Sequence, residues 1–249
     1  MDSSVSNIEI LGVPVFRGTT DEALELVEQA WENGPALVAY VNAHTLNLAC
    51  SDPEYRALLR KAAVVLNDGA GVALAARLHG DRFPENLNGS DFNPAIVELA
   101  ARKGWAVYFL GAGPVTAKIA AEILGERIPG LKVVGTHDGF FPRSEDDDVA
   151  QEIRNTGADV VMVAMGNPLQ EKWLERHLSA TGARLGVGVG AFFDFSAGTV
   201  PRSPAWMNTL GIEWVWRLWQ EPRRLWRRYL VGNPLFLWRV LRSRSSRKR

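Results

Sequence analysis

From residue 105 to residue 189 the chain repeats one unit: a short apolar run, a turn bearing Gly with Asn, Asp or His, then an amphipathic stretch. Runs at 105–110, 131–136, 159–165 and 184–189 read as strands; the stretches at 115–127, 147–155 and 168–180 read as helices. The strands are continuously apolar and rich in Val, which predicts cover on both faces, and strands that alternate with helices predict a parallel sheet. The same rhythm begins earlier. Residues 8–16 read as one strand. A helix capped by Thr20 follows, with Asp21 and Glu22 in its first turn and Leu24, Val27, Ala30 and Trp31 at helical spacing. Then come a strand at 37–41, one helical region at 45–61, a strand at 63–66, a helix at 72–79, and a loop at 80–90 leading to a helix capped by Ser90 or Asp91. The expected fold is α/β: a Rossmann-like, mostly parallel sheet with helices on both faces, formed by residues 1–200.

After Gly198 the character changes. From Arg202 onward there are twelve Lys or Arg against two acids, and six of the nine tryptophans, although the whole chain carries no net charge. Stretches at 206–219, 222–230 and 233–241 read as helices. Residues 201–249 are therefore expected to form a Trp/Arg-rich helical appendage that contacts both a membrane and the active site. Trp with Arg on helices suits the membrane interface and anionic lipid; a nucleic-acid tail rarely needs six tryptophans, and none is expected as a partner. The alternative reading is a helical subdomain whose tryptophans are core. The residues 1–7 do not read as a signal peptide, and no run of about eighteen apolar residues predicts a membrane span. The single cysteine, Cys50, allows no intrachain disulfide, fits a cytoplasmic setting, and reads as a small core residue.

In open parallel sheets, ligands bind beyond the carboxyl ends of the strands. Those ends carry Asn42, Asp68, Gly111-Ala112-Gly113, His137-Asp138-Gly139-Phe140, Gly166-Asn167 and Gly190, whereas the opposite ends are bland. Gly111-Ala112-Gly113 before a helix is either a structural turn or a phosphate cradle. It is not a dinucleotide fingerprint, because position 116 is Thr, and no Walker motif occurs. Asn167-Pro168-Leu169-Gln170 also reads as a helix start, with Asn as cap and Gln170 or Glu171 closing a capping box. Asp68 is either a helix cap or a base. His44 and His137 read as structural imidazoles. Asp146-Asp147-Asp148 reads as acids favouring a helix dipole rather than as metal ligands; no metal and no cofactor is expected.

Taken in order, these residues resemble the WecB/TagA/CpsF family, glycosyltransferase family 26. The carriers are Asn42, Asn67-Asp68-Gly69-Ala70-Gly71-Val72, Asn88-Gly89-Ser90-Asp91, Phe109-Leu110-Gly111-Ala112-Gly113 and Gly139-Phe140-Phe141. They continue with the segments 166–173, 188–198 and 202–204, then Gly211-Ile212-Glu213-Trp214-Val215-Trp216-Arg217 and Glu221-Pro222-Arg223-Arg224. The resemblance implies an inverting, metal-independent transferase that moves a sugar from a UDP-sugar, often UDP-N-acetylmannosamine, to a polyprenyl-diphosphate-linked acceptor on the inner face of the cell membrane. It implies Asp68 as catalytic base with Asn42 beside it. It places donor binding on Gly111, Gly113, Phe140, Asn167, Gln170, Glu171, Gly190 and Asp194, and acceptor or diphosphate binding on Asn88, Arg217, Arg223, Arg224 and Arg227, with Arg228 able to join the clamp. Two positions depart from the pattern: Tyr40 stands where Thr is common, and Glu85-Asn86-Leu87-Asn88-Gly89 replaces Glu-Arg-Val-x-Gly. Both bear on which sugar is used. Two other classes remain: a nucleotide-binding oxidoreductase, which lacks its fingerprint after the first strand, and a non-catalytic membrane-surface adaptor. Oligomeric state is open, a homo-oligomer included.

Overall fold

The computed structural model describes residues 6–204, 206–207 and 211–247. Two departures from the expected elements come first. Residues 8–16 are not one strand but a hairpin, β1 (Asn7–Ile10) and β2 (Val13–Phe16), paired antiparallel as a separate small sheet. Leu11 and Gly12 turn the chain with φ of 50° and 81°, the left-handed geometry a two-residue hairpin turn requires. The single helical region expected at 45–61 is two helices, α2 (Ala43–Ser51) and α3 (Pro53–Lys61). Pro53 forces the break: it has no N–H for the ladder and disfavours helical geometry at Asp52. Asp52 is extended there, and its carboxylate accepts from the Tyr55 amide at 3.0 Å to cap α3.

The main sheet has six parallel strands: β3 (Ala36–Val41), β4 (Val64–Asn67), β5 (Ala106–Gly111), β6 (Lys132–His137), β7 (Val160–Ala164) and β8 (Leu185–Gly188). Their spatial order is β4-β3-β8-β7-β5-β6. Successive residues of a strand serve opposite faces. Val38, Tyr40, Leu66, Phe109, Met162 and Val187 pack beneath α1 (Thr20–Asn33), α5 (Gly89–Lys103), α6 (Thr116–Arg127) and α9 (Phe192–Ser196). Ala39, Val41 and Val65 meet α2, α3 and α4 (Ala70–Leu78), while Tyr108, Leu110, Val161 and Val163 meet α7 (Asp146–Thr156) and α8 (Leu169–Thr181). The α/β fold with helices on both faces is thus as the sequence implies. The caps differ in detail. Thr19, not Thr20, caps α1 in a full capping box with Glu22, and Asn88, not Ser90 or Asp91, caps α5.

Beyond the core lie α10 (Glu213–Gln220), α11 (Pro222–Trp226), a π-helical turn at Arg227–Val231, and α12 (Gly232–Arg247). The expected helix at 206–219 is shorter: Trp206 and Met207 are helical, residues 208–210 lie outside the described residues, and α10 starts at Glu213. Composition changes near residue 200, but packing crosses that point. Phe236 and Val240 of α12 are fully buried in one cluster with Leu46, Val72 and Ala76. Arg239 donates to the Asn47 carbonyl at 2.8 Å, and Asn47 Nδ2 donates to the Gly232 carbonyl at 2.7 Å. Cys50 is half-buried beside Arg56, His79 and Ser243, rather than a core residue. Among the described residues, no helix is long and apolar enough to cross a membrane.

Candidate active site

The carboxyl ends of all six strands form one rim. β3 feeds α2 on one face and β8 feeds α9 on the other, so the chain diverges between these neighbouring strands and leaves a crevice. Asn42 follows β3 and Asp68 follows β4, the next strand outward.

Asn42 is held by both ends of its amide. Its Oδ1 accepts from the His44 and Thr45 amides, each at 3.1 Å, and so caps α2. That fixes the Nδ2 side, which donates to Asp68 Oδ2 at 3.0 Å. Asp68 is not the cap of α4; that position is Gly69, with no side-chain cap. The Asp68 carboxyl is half-buried. Burial pushes its pKa upward, and the Asn42 hydrogen bond, Arg228 and Arg217 push back toward the ionised form. The turn itself is tied down: the Gly69 amide donates to Asn86 Oδ1 at 3.1 Å, and Asn67 donates to the Glu85 carbonyl at 2.9 Å. Tyr40, two residues before Asn42 on β3, donates its hydroxyl to Asn93 Oδ1 at 2.6 Å and forms a buried floor.

The appendage roofs this end of the rim. Arg217 and Arg228 are half-buried, and the Nε atom of each is buried with no hydrogen-bond partner among the described residues. Arg217 lies over the Phe195 ring at 5.0 Å, and Arg228 over the Tyr229 ring at 5.5 Å. Burial raises the carboxyl of Asp194, and Arg217 offsets part of that rise. Burial and Arg228 lower His44 to about 4, so its imidazole is neutral at neutral pH and adds no cation. Arg217 and Asp194 thus join Asp68 and Asn42 at one place. Arg223, Arg224 and Arg227 do not: all three are exposed, Arg224 donates to Glu221 at 2.8 Å, and Arg227 stacks over Trp226 at 5.2 Å. Asn88 spends its amide on α5, accepting from the Asp91 amide at 3.1 Å and donating to Asp91 Oδ2 at 2.9 Å.

The other donor candidates lie along the rim. At about 4.8 Å per strand, β8 stands about 10 Å from β4, β5 about 19 Å and β6 about 24 Å. Gly111 must be glycine, because a Cβ there would sit 2.5 Å from the Ala164 carbonyl oxygen at φ of 118°. Ala112 donates its amide to that same oxygen, so close strand packing shapes this turn. Gly113 precedes α6, whose N-terminus has no side-chain cap, and Phe140 is 79% exposed beside the turn. Gln170 and Glu171 are buried beneath the rim. Gln170 Oε1 accepts from the Gly166 and Gly190 amides, each at 3.1 Å, and so clasps the ends of β7 and β8. Glu171 accepts from Asn167 at 2.7 Å, Gln170 at 2.7 Å and Tyr55 at 3.0 Å. The expected capping box is replaced by this network: Asn167 bonds the carboxylate, and Pro168 occupies the cap position. With no cation touching it, Glu171 is raised by burial to about 7. His137 bonds the Asp138 carbonyl and packs edge-on to Phe141, a structural role as read. Asp146 and Asp147 open α7 and face His177, with Arg143 on Asp146.

Sequence reasoning missed the inward placement of Glu213 and the closeness of Arg228 to Asp68. Glu213 and Arg217 stand four apart on a helix and so share a face, which was the available clue.

Residues 8–249 match the model of the glycosyl transferase WecG/TagA/CpsF family. Over 213 residues the chain is 30% identical to the Bacillus subtilis (strain 168) N-acetylglucosaminyldiphosphoundecaprenol N-acetyl-beta-D-mannosaminyltransferase, covering 86% of this chain and 82% of that one. It is also 30% identical over 218 residues to the protein of the same name from Bacillus spizizenii, covering 87% and 83%. A match of this extent makes the chain a member of the WecG/TagA/CpsF family and a glycosyltransferase.

Proposed function

We propose that the chain is an inverting, metal-independent transferase that moves a hexose, N-acetylmannosamine first among candidates, from a UDP-sugar to a polyprenyl-diphosphate-linked sugar in cell-envelope polymer synthesis. The observation that carries this reading is the pairing of Asp68 with Asn42 under Arg217 and Arg228. The relatives' names supply the acceptor class, a diphosphoundecaprenol-linked N-acetylglucosamine, and the donor sugar.

Asp68 takes the proton of the acceptor hydroxyl, and that oxygen attacks the anomeric carbon from the face opposite the leaving diphosphate. The bond to UDP breaks, its electron pair stays on the phosphate oxygen, and the configuration inverts. The anomeric carbon lies beside Asp68, so the diphosphate lies there too. The guanidinium forks of Arg217 and Arg228 meet its growing charge. The turn at Gly111 to Gly113, four strands away, suits the uridine end, with Phe140 as an exposed aromatic platform and Gly190 and Asp194 between. Asn167, Gln170 and Glu171 hold the intervening turns in place.

The outer surface of the appendage exposes Trp206, Trp219, Trp226 and Trp238, with Leu230, Val231, Leu235 and Leu241. Such a surface, interleaved with arginine, suits the anionic face of a bilayer, where the lipid-linked acceptor resides. The test is UDP release from a panel of UDP-sugars with a short-chain polyprenyl-diphosphate N-acetylglucosamine. Acceptor-dependent UDP release supports the reading; none with any sugar, for protein shown to be folded, defeats it.

A further inference from the structure

The helix α10 is amphipathic the wrong way round for a core helix. Glu213, Arg217 and Gln220 fall on one face by helical spacing, and that face looks into the molecule. Among the described residues, Arg217 Nε and Gln220 Oε1 are buried without partners, and Gln220 Nε2 donates to the Pro201 carbonyl at 3.3 Å. The opposite face carries Val215 and Trp219, which are exposed. Burying a polar side costs free energy unless something bonds to it, so this face is suited to a polar ligand.

The start of α10 is pinned directly over the catalytic turn. Gly211 has φ of 69°, and a Cβ there would come within 2.8 Å of Ala70 Cβ. Ala70 opens α4, two residues past Asp68, so only a glycine lets the appendage lie this close. Two residues on, Glu213 is half-buried. Among the described residues no hydrogen bond or ion pair to its carboxylate is found, although Asp68 and Asp91 repel it and Arg217 and Arg202 attract it. A carboxylate in a crevice without a bonded donor is placed to accept from hydroxyl groups.

We propose that Glu213 is an acceptor-binding residue: its carboxylate receives a second hydroxyl of the acceptor sugar whose reacting hydroxyl lies on Asp68. The two carboxylates divide the work. Asn42 and the two arginines favour the ionised form of Asp68 against its burial and suit it to act as the base, while Glu213 has no such bonded support and holds the ring. A sugar bridging β4 and α10 would also draw the appendage onto the core, so that the acceptor helps close its own site. This inference rests on the sugar-transfer reading above.

The experiment compares wild type, Glu213→Ala and Glu213→Gln in UDP release, using the short-chain acceptor and analogues that each lack one ring hydroxyl. Glu213→Ala raises the acceptor KM about 10–100-fold, the worth of a hydrogen bond to a charged group, and leaves the donor KM within about twofold. One deoxy analogue, poor for wild type, is no poorer for Glu213→Ala, because the bond is already gone. Glu213→Gln recovers part of the acceptor affinity. An unchanged acceptor KM, or losses that multiply for every analogue, overturns the assignment. A donor KM that rises together with a lowered melting temperature also overturns it, in favour of a purely structural latch. Wild type inactive with every donor would sink the transfer reading itself; active wild type with a normal Glu213→Ala sinks only this inference.

Discussion

The sheet and the appendage follow opposite rules about what faces water. In the sheet and the helices that cover it, Val, Leu and Phe are buried, and the buried carboxylate of Glu171 on α8 has three hydrogen-bond donors. In the appendage, four tryptophans are exposed, while Arg217, Arg228 and Gln220 bury polar atoms that have no partner among the described residues. The first arrangement is what a chain does to be stable. The second costs stability in water, a cost that the proposed reading offsets with polar substrate on the inside and a bilayer surface on the outside. The join between them is α12, which behaves like the core: Phe236 and Val240 are buried against α2 and α4.

The contrast is sharpest at Asp68. Asp68→Asn should cut turnover about 10²–10⁴-fold, the range for a general base, with no loss of melting temperature. Because burial raises Asp68, the acid limb of kcat/KM should lie above the ordinary carboxylate range in wild type, with activity falling as pH drops through it. A variant that keeps full turnover would reduce Asp68 to a structural residue.

Phe236→Ala tests the join. Removing a buried Phe side chain costs about 3–5 kcal/mol, read as a lower urea midpoint. If stability is unchanged, α12 is not part of the core.

Glu171 tests the core's rule by pH. Its folded pKa of about 7 lies above the unfolded value of 4.5, so the folded state holds the proton more tightly. The stability it contributes is full below about 4.5 and is lost as pH rises toward 7, by about 3 kcal/mol in all. Glu171→Gln should lack this slope between those values. Equal slopes in urea titrations of the two proteins would show that the carboxyl is not buried as described.

For the appendage, Arg228→Ala should weaken UDP binding about tenfold or more, the worth of a charged hydrogen bond, with the fold intact; calorimetry reads it. The smallest effect belongs to the outer face. Trp219→Ser should lower binding to anionic vesicles about tenfold, the worth of one large apolar side chain, and leave stability unchanged or raised. If instead it destabilises the protein, the tryptophan is core and the contrast fails.

Much of this was legible beforehand. Apolar runs named all six sheet strands within a residue or two, and the glycine-bearing turns all fall on one rim of the sheet. The reading of 8–16 as one strand failed because two positive φ values at Leu11 and Gly12 hide inside an apolar run. The reading of 45–61 as one helix failed because Pro53 outweighs the helical spacing around it. At the site, Asp68 and Asn42 could be named but their contact could not, since it joins separate strand ends. Gln170 and Glu171 read as rim residues, whereas their side chains turn under the rim to clasp it.

What the sequence determined alone is everything governed by periodicity and by local stereochemistry: which stretches are strands or helices, which ends carry polar turns, and where the charge balance changes. Which arginine faces the cleft was decided only by tertiary structure. Arg217, Arg223, Arg224, Arg227 and Arg228 are alike in chemistry and close in sequence; the rotation of each helix, set by Gly211 on Ala70 and by Phe236 in the core, turns Arg217 and Arg228 toward Asp68 and leaves the other three exposed to solvent. Helix phase comes from long-range packing, and no local pattern of charges specifies it.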